Sequence, residues 1–569
     1  MSWIFGFYSK KQINEELISK YHPHPITSVS TPKYYIAAGG NNNTLLFNKD
    51  NFKVNYFISG VPISSDASKF VSKIDFDELL SSDLDKLKLL NGHFCGVIIK
   101  EGSLYLYTDQ LGLREFHIYE NNFGWYFSTR LDWLLKLDKF EIDFNEFGSR
   151  WLLINQISNK SIIKNVRRLS CGATASLKDN ECKYFENNWI PEKSKFITTV
   201  EYKSKLEKLT LLGLSNNRRV TLSLSGGMDS RVILSLLLNS DYKNWGCYIL
   251  KTEDKADKQI AEKILTDLKI QYKLYADEYP DENNILAELF NYIGSTYLTG
   301  SSINSLKLFY FRLFPNDEII VDGGFGEIWR REFLNRLYVF GKKDIEEKNF
   351  SNVNNHLIHN KADIFSEECN LLMKEGSIKQ IETLFATLPS QNEIGLGNWL
   401  DLFSIKTRLV NFYAQEQARV DNYVTAYMPF VQPYILNDIF NLPVEERLNN
   451  KLFKDIIRSD KNRLSKYNLA KGNISYPFYF TPLMKRIYYK VYGKFNKPHS
   501  ENGYDKFLSG MKYFIMDSLN SKQAKEYAPY NYKLISKEVN SYFNGNKSRR
   551  KYVDWFLTFE IFRQIVENK

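Results

Sequence analysis

The sequence predicts a mixed α/β and α+β chain in two parts: a layered antiparallel β-sandwich with helices, then a parallel sheet followed by a large helical region. Three observations predict it. Residues 1 to about 190 read as many short strands divided by turns. From about residue 200 the rhythm becomes strand–helix–strand–helix with apolar strands, which implies a parallel sheet covered by helices. The remainder, to Lys569, is mostly helical in spacing. A chain of 569 residues suits two or three domains, and 43% hydrophobic content lets each bury a core.

The first strands are Tyr34–Ala38, Val54–Ile58, Val97–Ile99 and Leu104–Tyr107, with turn clusters such as Gly39–Asn43 between them. The stretch from Asn187 to Thr199 is polar, carries a proline and several charges, and reads as a linker. It separates a first domain, 1–190, from a second, 200–569. Glu201 to Leu212 has helical spacing, and Arg219–Leu224 reads as a buried strand. A glycine turn, a helix over Val232–Leu238, a strand at Gly246–Leu250 and a helix through Ile260, Ile264 and Leu268 follow.

Charge and cysteine content narrow the function. Net charge is +10, from 76 Lys and Arg against 66 Asp and Glu, spread thinly and unlike the basic face of a dedicated nucleic-acid binder. The densest basic run, Lys547 with Arg549, Arg550 and Lys551, reads as a solvated loop before the last helix. The five cysteines form no CxxC pair, so neither a zinc site nor a redox pair is indicated, and a reducing cytoplasm is the expected setting. No stretch reaches the roughly 20 apolar residues of a membrane span. The apolar start is also too short for a signal segment. The 15% aromatic content fits an AT-rich coding bias.

The chemistry sits in Ser225-Gly226-Gly227-Met228-Asp229-Ser230, between a strand and a helix. Two glycines let the backbone approach phosphate oxygens, and amides of the first helical turn point at the anion. Ser225 and Ser230 add hydroxyl donors. Asp229 would repel phosphate directly, so it makes sense as a ligand for a bridging Mg²⁺. The plain alternative is a glycine turn in which Asp229 or Ser230 caps the helix. No GxxxxGK[ST] pattern is present.

This hexapeptide resembles the SGGxDS loop of PP-loop ATP pyrophosphatases, which bind the β- and γ-phosphates of ATP and cleave it between α and β. In order and spacing, other segments are similar to glutamine-dependent asparagine synthetases. Met1-Ser2-Trp3-Ile4-Phe5-Gly6 echoes that family's start, Met-Cys-Gly-Ile-Phe-Gly. Leu90–Phe94, Asp109–Arg114 and Phe127-Ser128 resemble strands of its amidotransferase half. The resemblance implies an αββα amidotransferase-like sandwich over 1–190 and an ATP pyrophosphatase domain over 200–569.

The departures change the expected function. Ser2 stands where the family's nucleophilic cysteine would be, and a serine alkoxide is far harder to form than a thiolate. No arginine precedes Arg114 to hold a glutamine carboxylate, and Ser59-Gly60-Val61 replaces the family's Asn-Gly-Glu. The first domain is therefore expected to be a degenerate, non-hydrolysing module.

In the second domain, Val321–Ile328 lies where the family has a glycine-rich turn, Gly324 included, ending in Asp-Glu. Gly326 replaces the metal-binding Asp; Glu327 matches the following acid, and Asp322 or Glu327 could supply the missing carboxylate. Tyr427-Met428-Pro429-Phe430 resembles the family's R-x-P-F, with Tyr427 for arginine. Lys471 is the first candidate for the family's catalytic lysine and Lys454 the second.

The resemblance thus implies ATP and Mg²⁺, with Asp229 and Asp322 on the metal and Ser225, Gly226, Gly227, Asp229, Ser230 and Gly324 on the nucleotide. Lys471 and Glu327 would be catalytic. A carboxylate would be activated as acyl-AMP and an amine, ammonia or another, would complete an amide. The expected partners are a small-molecule acid and amine: a sugar or small natural-product acid first, a peptide macrolactam or β-lactam-type ring closure second. A non-catalytic scaffold and a tRNA-modifying enzyme are the remaining classes; the thiolating versions of the latter usually need paired cysteines.

Overall fold

A computed structural model describes residues 2–11, 18–49, 54–82, 84–193, 195–251, 255–276, 282–295, 298, 300–315, 317–471, 473–492 and 502–567. Among the described residues the first part holds twelve strands. They are β1 (Trp3–Ser9), β2 (Thr27–Ser30), β3 (Tyr34–Gly39), β4 (Leu45–Asn48), β5 (Val54–Ile63) and β6 (Asn91–Lys100). Then come β7 (Ser103–Thr108), β8 (Phe116–Asn121), β9 (Gly124–Ser128), β10 (Val166–Leu169), β11 (Thr174–Lys178) and β12 (Glu181–Phe185). They form two six-stranded antiparallel sheets, ordered β10-β8-β9-β1-β3-β2 and β12-β11-β7-β6-β5-β4.

Period-two alternation decides the layers. On β1, Ile4 and Tyr8 face the second sheet and meet Phe57, Val97 and Leu106. The intervening Trp3, Phe5 and Phe7 face outward onto helical residues such as Leu131 and Trp133. On β5, Tyr56 and Ile58 turn outward under Phe76 and Leu80 of α1 (Lys73–Ser82). The result is helix, sheet, sheet, helix. The helix α2 (Phe144–Leu152) starts on Asp143, whose carboxylate accepts from Asn145 N–H at 3.0 Å.

The second part starts at α3 (Thr199–Ser215), opened by a reciprocal capping box between Thr198 and Glu201. Next come β13 (Val220–Ser223), α4 (Asp229–Asn239), β14 (Trp245–Lys251), α5 (Lys255–Asp267), β15 (Tyr272–Ala276), β16 (Ile319–Val321) and β17 (Thr425–Tyr427). The five strands form one parallel sheet, ordered β15-β14-β13-β16-β17. Beyond it the described chain is almost wholly helical, apart from the hairpin of β18 (Leu469–Lys471) and β19 (Ile474–Tyr476). Helix α6 (Pro482–Tyr492) follows the hairpin, and α7 (Arg550–Glu567) is the last helix.

The two parts share one core: Ile63, Leu111, Leu113 and Leu153 pack in the same cluster as Leu206, Leu222 and Val232. Before Thr199 the described residues of the stretch read as a linker form no helix or strand, yet they are fastened down. Trp189 and Ile197 are buried, Trp189 Nε1 donates to Asn437 Oδ1 at 3.1 Å, and Ile197 N–H donates to Asn441 O at 3.0 Å. Polar composition hid two apolar anchors.

A buried ionic clasp adds to the junction. Asp421, fully buried, pairs with His93 Nε2 at 2.8 Å and with Arg114. These two residues come from the segments Leu90–Phe94 and Asp109–Arg114 singled out in the sequence. No helix of the described residues is long and apolar enough to cross a membrane.

Candidate active site

The hexapeptide loop sits where β13, the middle strand of the parallel sheet, hands over to α4. Ligands of open parallel sheets bind at this carboxyl edge. The loop is held by its own hydroxyls: Ser230 Oγ accepts from Ser225 N–H at 3.1 Å, and Ser225 Oγ accepts from Gly227 N–H at 3.1 Å. Helix α4 begins without a side-chain cap hydrogen bond, so its first-turn amides are unsatisfied by a side chain, although Asp229 places a carboxylate in that turn. Gly226 is pinned from both sides. Its N–H donates to Asp257 Oδ1 at 2.9 Å, and its carbonyl accepts from Ala470 N–H at 3.0 Å. A Cβ there would lie 2.9 Å from the Ala470 Cβ, so the position requires glycine.

That contact brings in Lys471. It follows Ala470 at the end of β18, is exposed, and is carried on a hairpin bonded directly to the hexapeptide loop. Arg231 reinforces the joint: fully buried, it donates to Tyr467 O at 2.8 Å and to Asn468 O at 2.6 Å. Lys454, the second candidate, is turned elsewhere, with its Nζ on Phe480 O at 3.0 Å. A lysine that sequence spacing did not single out also faces the site. Lys485 on α6 is drawn below the usual ammonium range by burial, against the opposing pull of Glu332.

The second turn lies against the first turn of α4. A Cβ on Gly323 would come within 3.0 Å of Ser230 N, and one on Gly326 within 2.5 Å of Asp229 Cγ. The aspartate that the resemblance places at 326 therefore has no room beside Asp229. Between these glycines Phe325 takes a left-handed backbone, φ 64°, with its ring buried against Phe333 and Tyr413 at 4.7 and 5.1 Å. Asp322 Oδ1 accepts from Gly324 N–H at 2.7 Å, and burial raises its carboxyl above the ordinary range. Glu327 makes no side-chain hydrogen bond among the described residues, and its charge acts on both Asp229 and Asp322.

Arg330 is the residue that sequence reasoning missed. Its guanidinium donates from Nε to Asp229 Oδ1 at 2.7 Å and from Nη2 to Asp229 Oδ2 at 2.8 Å, a bidentate fork. Its Nη1 also reaches Glu332 at 2.7 Å. Burial pushes the Asp229 carboxyl up, while Arg330 pulls it toward the charged form. Burial likewise raises Glu332, but Arg330, Lys485 and Lys471 outweigh it and hold its carboxyl below the usual range.

A magnesium ion held by Asp229 and Asp322, as expected above, does not fit these placements. Both oxygens of Asp229 are taken by a cation, and among the described residues no group of three metal-ligating side chains converges. ATP fits better: Gly226 and Gly227 spend their N–H groups within the joint, but the first-turn amides of α4 carry no side-chain cap and stay open to an anion. Tyr427 points away from the site, its hydroxyl donating to Leu209 O at 2.8 Å.

At the other expected centre, Ser2 is fully buried. Its Oγ donates to Thr44 O at 2.5 Å and lies 3.0 Å from Ser59 Oγ, which in turn donates to Ser2 O at 2.7 Å. Ser59 belongs to the segment that replaces Asn-Gly-Glu, so two of the altered positions close on each other.

No known protein-family profile matches the chain, and no curated protein matches it. Among solved structures it is similar to the glutamine phosphoribosylpyrophosphate amidotransferase from B. subtilis complexed with ADP and GMP, at 11% identity and TM-score 0.23. That match covers 48% of this chain and 65% of the amidotransferase, just under two thirds of its length. A structure of the allosteric regulatory enzyme of purine biosynthesis matches at 12% identity and TM-score 0.21, over 60% of this chain and 72% of that one. The U34-tRNA thiolase NcsA from Methanococcus maripaludis, with its 4Fe-4S cluster, matches at 17% identity and TM-score 0.17, over 39% and 79%. Likenesses this distant leave the site to be judged on its own geometry.

Proposed function

We propose that the chain is an ATP-dependent, AMP-forming amide synthetase that activates a sugar or small natural-product carboxylate without a glutaminase of its own. One observation carries this reading: the Ser225–Ser230 loop crosses from the central parallel strand to an uncapped helix and is bonded through Gly226 to the hairpin of Lys471. In this reading the first-turn amides of α4 and the hydroxyls of Ser225 and Ser230 hold the β- and γ-phosphates, with Gly324 at the nucleotide's edge. A carboxylate oxygen attacks the α-phosphorus, the α–β bridging bond breaks, and pyrophosphate leaves with the electron pair. Lys471 meets the charge that develops there. An amine then attacks the acyl carbon, loses a proton, for which Glu327 is the unpaired carboxylate at hand, and AMP departs.

The closed Asp229–Arg330 pair favours a second reading, a nucleotide-binding scaffold without catalysis. Pyrophosphate release from ATP, measured against pools of sugar acids, amino acids and peptides with ammonium or glutamine, tests both. Release that needs one acid pool and is lost in Lys471→Ala supports the synthetase. ATP binding without release from any pool supports the scaffold, and absence of both overturns the nucleotide reading.

A further inference from the structure

Beside the candidate site lies a group of cations that the reaction above does not use. After α2 the chain pairs antiparallel with residues 357–361: Ile154 N–H donates to Leu357 O at 3.2 Å and His359 N–H to Leu152 O at 2.9 Å. This brings Lys361 under Arg150, both buried. The Lys361 ammonium donates to Leu153 O at 3.0 Å and stands 5.9 Å over the Trp555 ring of α7. One helical turn before Trp555, Lys551 reaches back to Asn360 O at 2.9 Å. Arg150 Nη1 donates to Gln415 Oε1 at 3.1 Å, two residues past Tyr413. Arg408 lies on the same π-helical stretch, Ile405–Tyr413, 5.7 Å from the Tyr413 ring, and its buried Nε has no partner. Helical irregularities of this type gather at functional positions.

The charges that act on Lys361 are those of Arg150, Lys551 and Arg408, and those on His359 are Lys361, Lys551 and Arg408; Glu115 answers Arg150. Burial first, then these neighbours, pull the Lys361 ammonium down to about 7. Like charges brought together out of water are costly unless an anion answers them. The group borders the candidate site through Tyr413, whose ring lies 5.7 Å from the Arg408 guanidinium and 5.1 Å from the ring of Phe325 in the glycine turn.

We propose that Lys361, Arg408 and Lys551, with His359 at the rim, form a subsite for an anionic oxygen group, carboxylate or phosphate, borne by the substrate acid away from the carboxyl that is activated. The substrate is then an acid with at least two anionic groups. This rests on the synthetase reading for its purpose, though not for its binding.

Calorimetric titration of the full chain with citrate, and separately with inorganic phosphate, at constant ionic strength tests it. The wild type binds one or both saturably, and Arg408→Gln and Lys551→Ala each weaken that binding by about tenfold, the loss expected for one charge-assisted hydrogen bond. Lys551 is exposed, so its variant folds even where Lys361→Met does not. A preference for citrate names a polycarboxylate, and a preference for phosphate names a phosphorylated acid. Binding unchanged in both variants, or no binding of either anion, overturns the subsite. ATP titrated in parallel separates the two ideas: anion binding without ATP binding sinks the synthetase reading alone, and the reverse sinks the subsite alone.

Discussion

Arg330 closes both carboxylate oxygens of Asp229, at 2.7 and 2.8 Å, across 101 residues of sequence. The pair is mostly shielded, so removing one partner leaves a nearly buried charge behind. Arg330→Gln is expected to lower stability by about 2–3 kcal/mol, somewhat less than for a fully buried pair because Asp229 keeps part of its water. Urea unfolding of both single variants and of the double variant with Asp229→Asn measures it. The double variant regains part of the loss; strict additivity would mean that the pair is not coupled.

Gly326→Asp restores the residue that the resemblance places there. With 2.5 Å between its Cβ and Asp229 Cγ, the change is expected to destabilise by about 1–3 kcal/mol and to weaken ATP binding. Tighter, Mg²⁺-dependent ATP binding in this variant would mean that the turn opens to admit a metal.

Ser2→Ala removes a hydroxyl that is hydrogen-bonded to Thr44 and Ser59. Glutamine-supported amide formation is expected to be unchanged, while stability falls by about 1 kcal/mol for the lost buried hydrogen bonds. Abolished glutamine use, with ammonium use intact, would restore a serine-based glutaminase.

The clasp at Asp421 has a definite pH signature. Burial acts to raise its carboxyl, but His93 and Arg114 outweigh that and hold it below its ordinary value. A carboxyl depressed in the folded state adds stability above its unfolded value, near pH 4, and loses it as pH falls through the folded value. Asp421→Asn is expected to cost about 3–5 kcal/mol at neutral pH, the penalty for breaking a buried pair. The gap to wild type should narrow below about pH 4, as the wild-type carboxyl takes its own proton. Denaturation midpoints between about pH 2 and pH 7 measure this, and a gap independent of pH would remove the clasp's charge from the account.

Local pattern carried much of this architecture into the sequence. The alternation at Tyr34–Ala38 and Val54–Ile58, and the apolar strand before Ser225, each name their layer because side-chain period and burial are local properties. The same holds for the turn at Ser225–Ser230, whose two glycines lie within one short strand-to-helix connection. Arg330 was illegible for the opposite reason: an arginine after a glycine turn looks solvated until the fold brings Asp229 to it. Trp189 and Ile197 were hidden among polar neighbours, and the cations at 361, 408 and 551 gather only through long-range packing.

Helix α7 lays Trp555 and Phe559 against Trp151 and Phe147 of α2, with ring centroids 5.5 to 5.7 Å apart. These partners stand at opposite ends of the chain. While the protein is being made, the aromatic face of α2 emerges from the ribosome some four hundred residues ahead of its cover, at roughly 5–20 residues per second. For that interval Phe365 is the earlier partner of both rings, and the side that α7 covers waits for the end of synthesis. A ribosome stalled anywhere before residue 550 would hold a half-dressed domain.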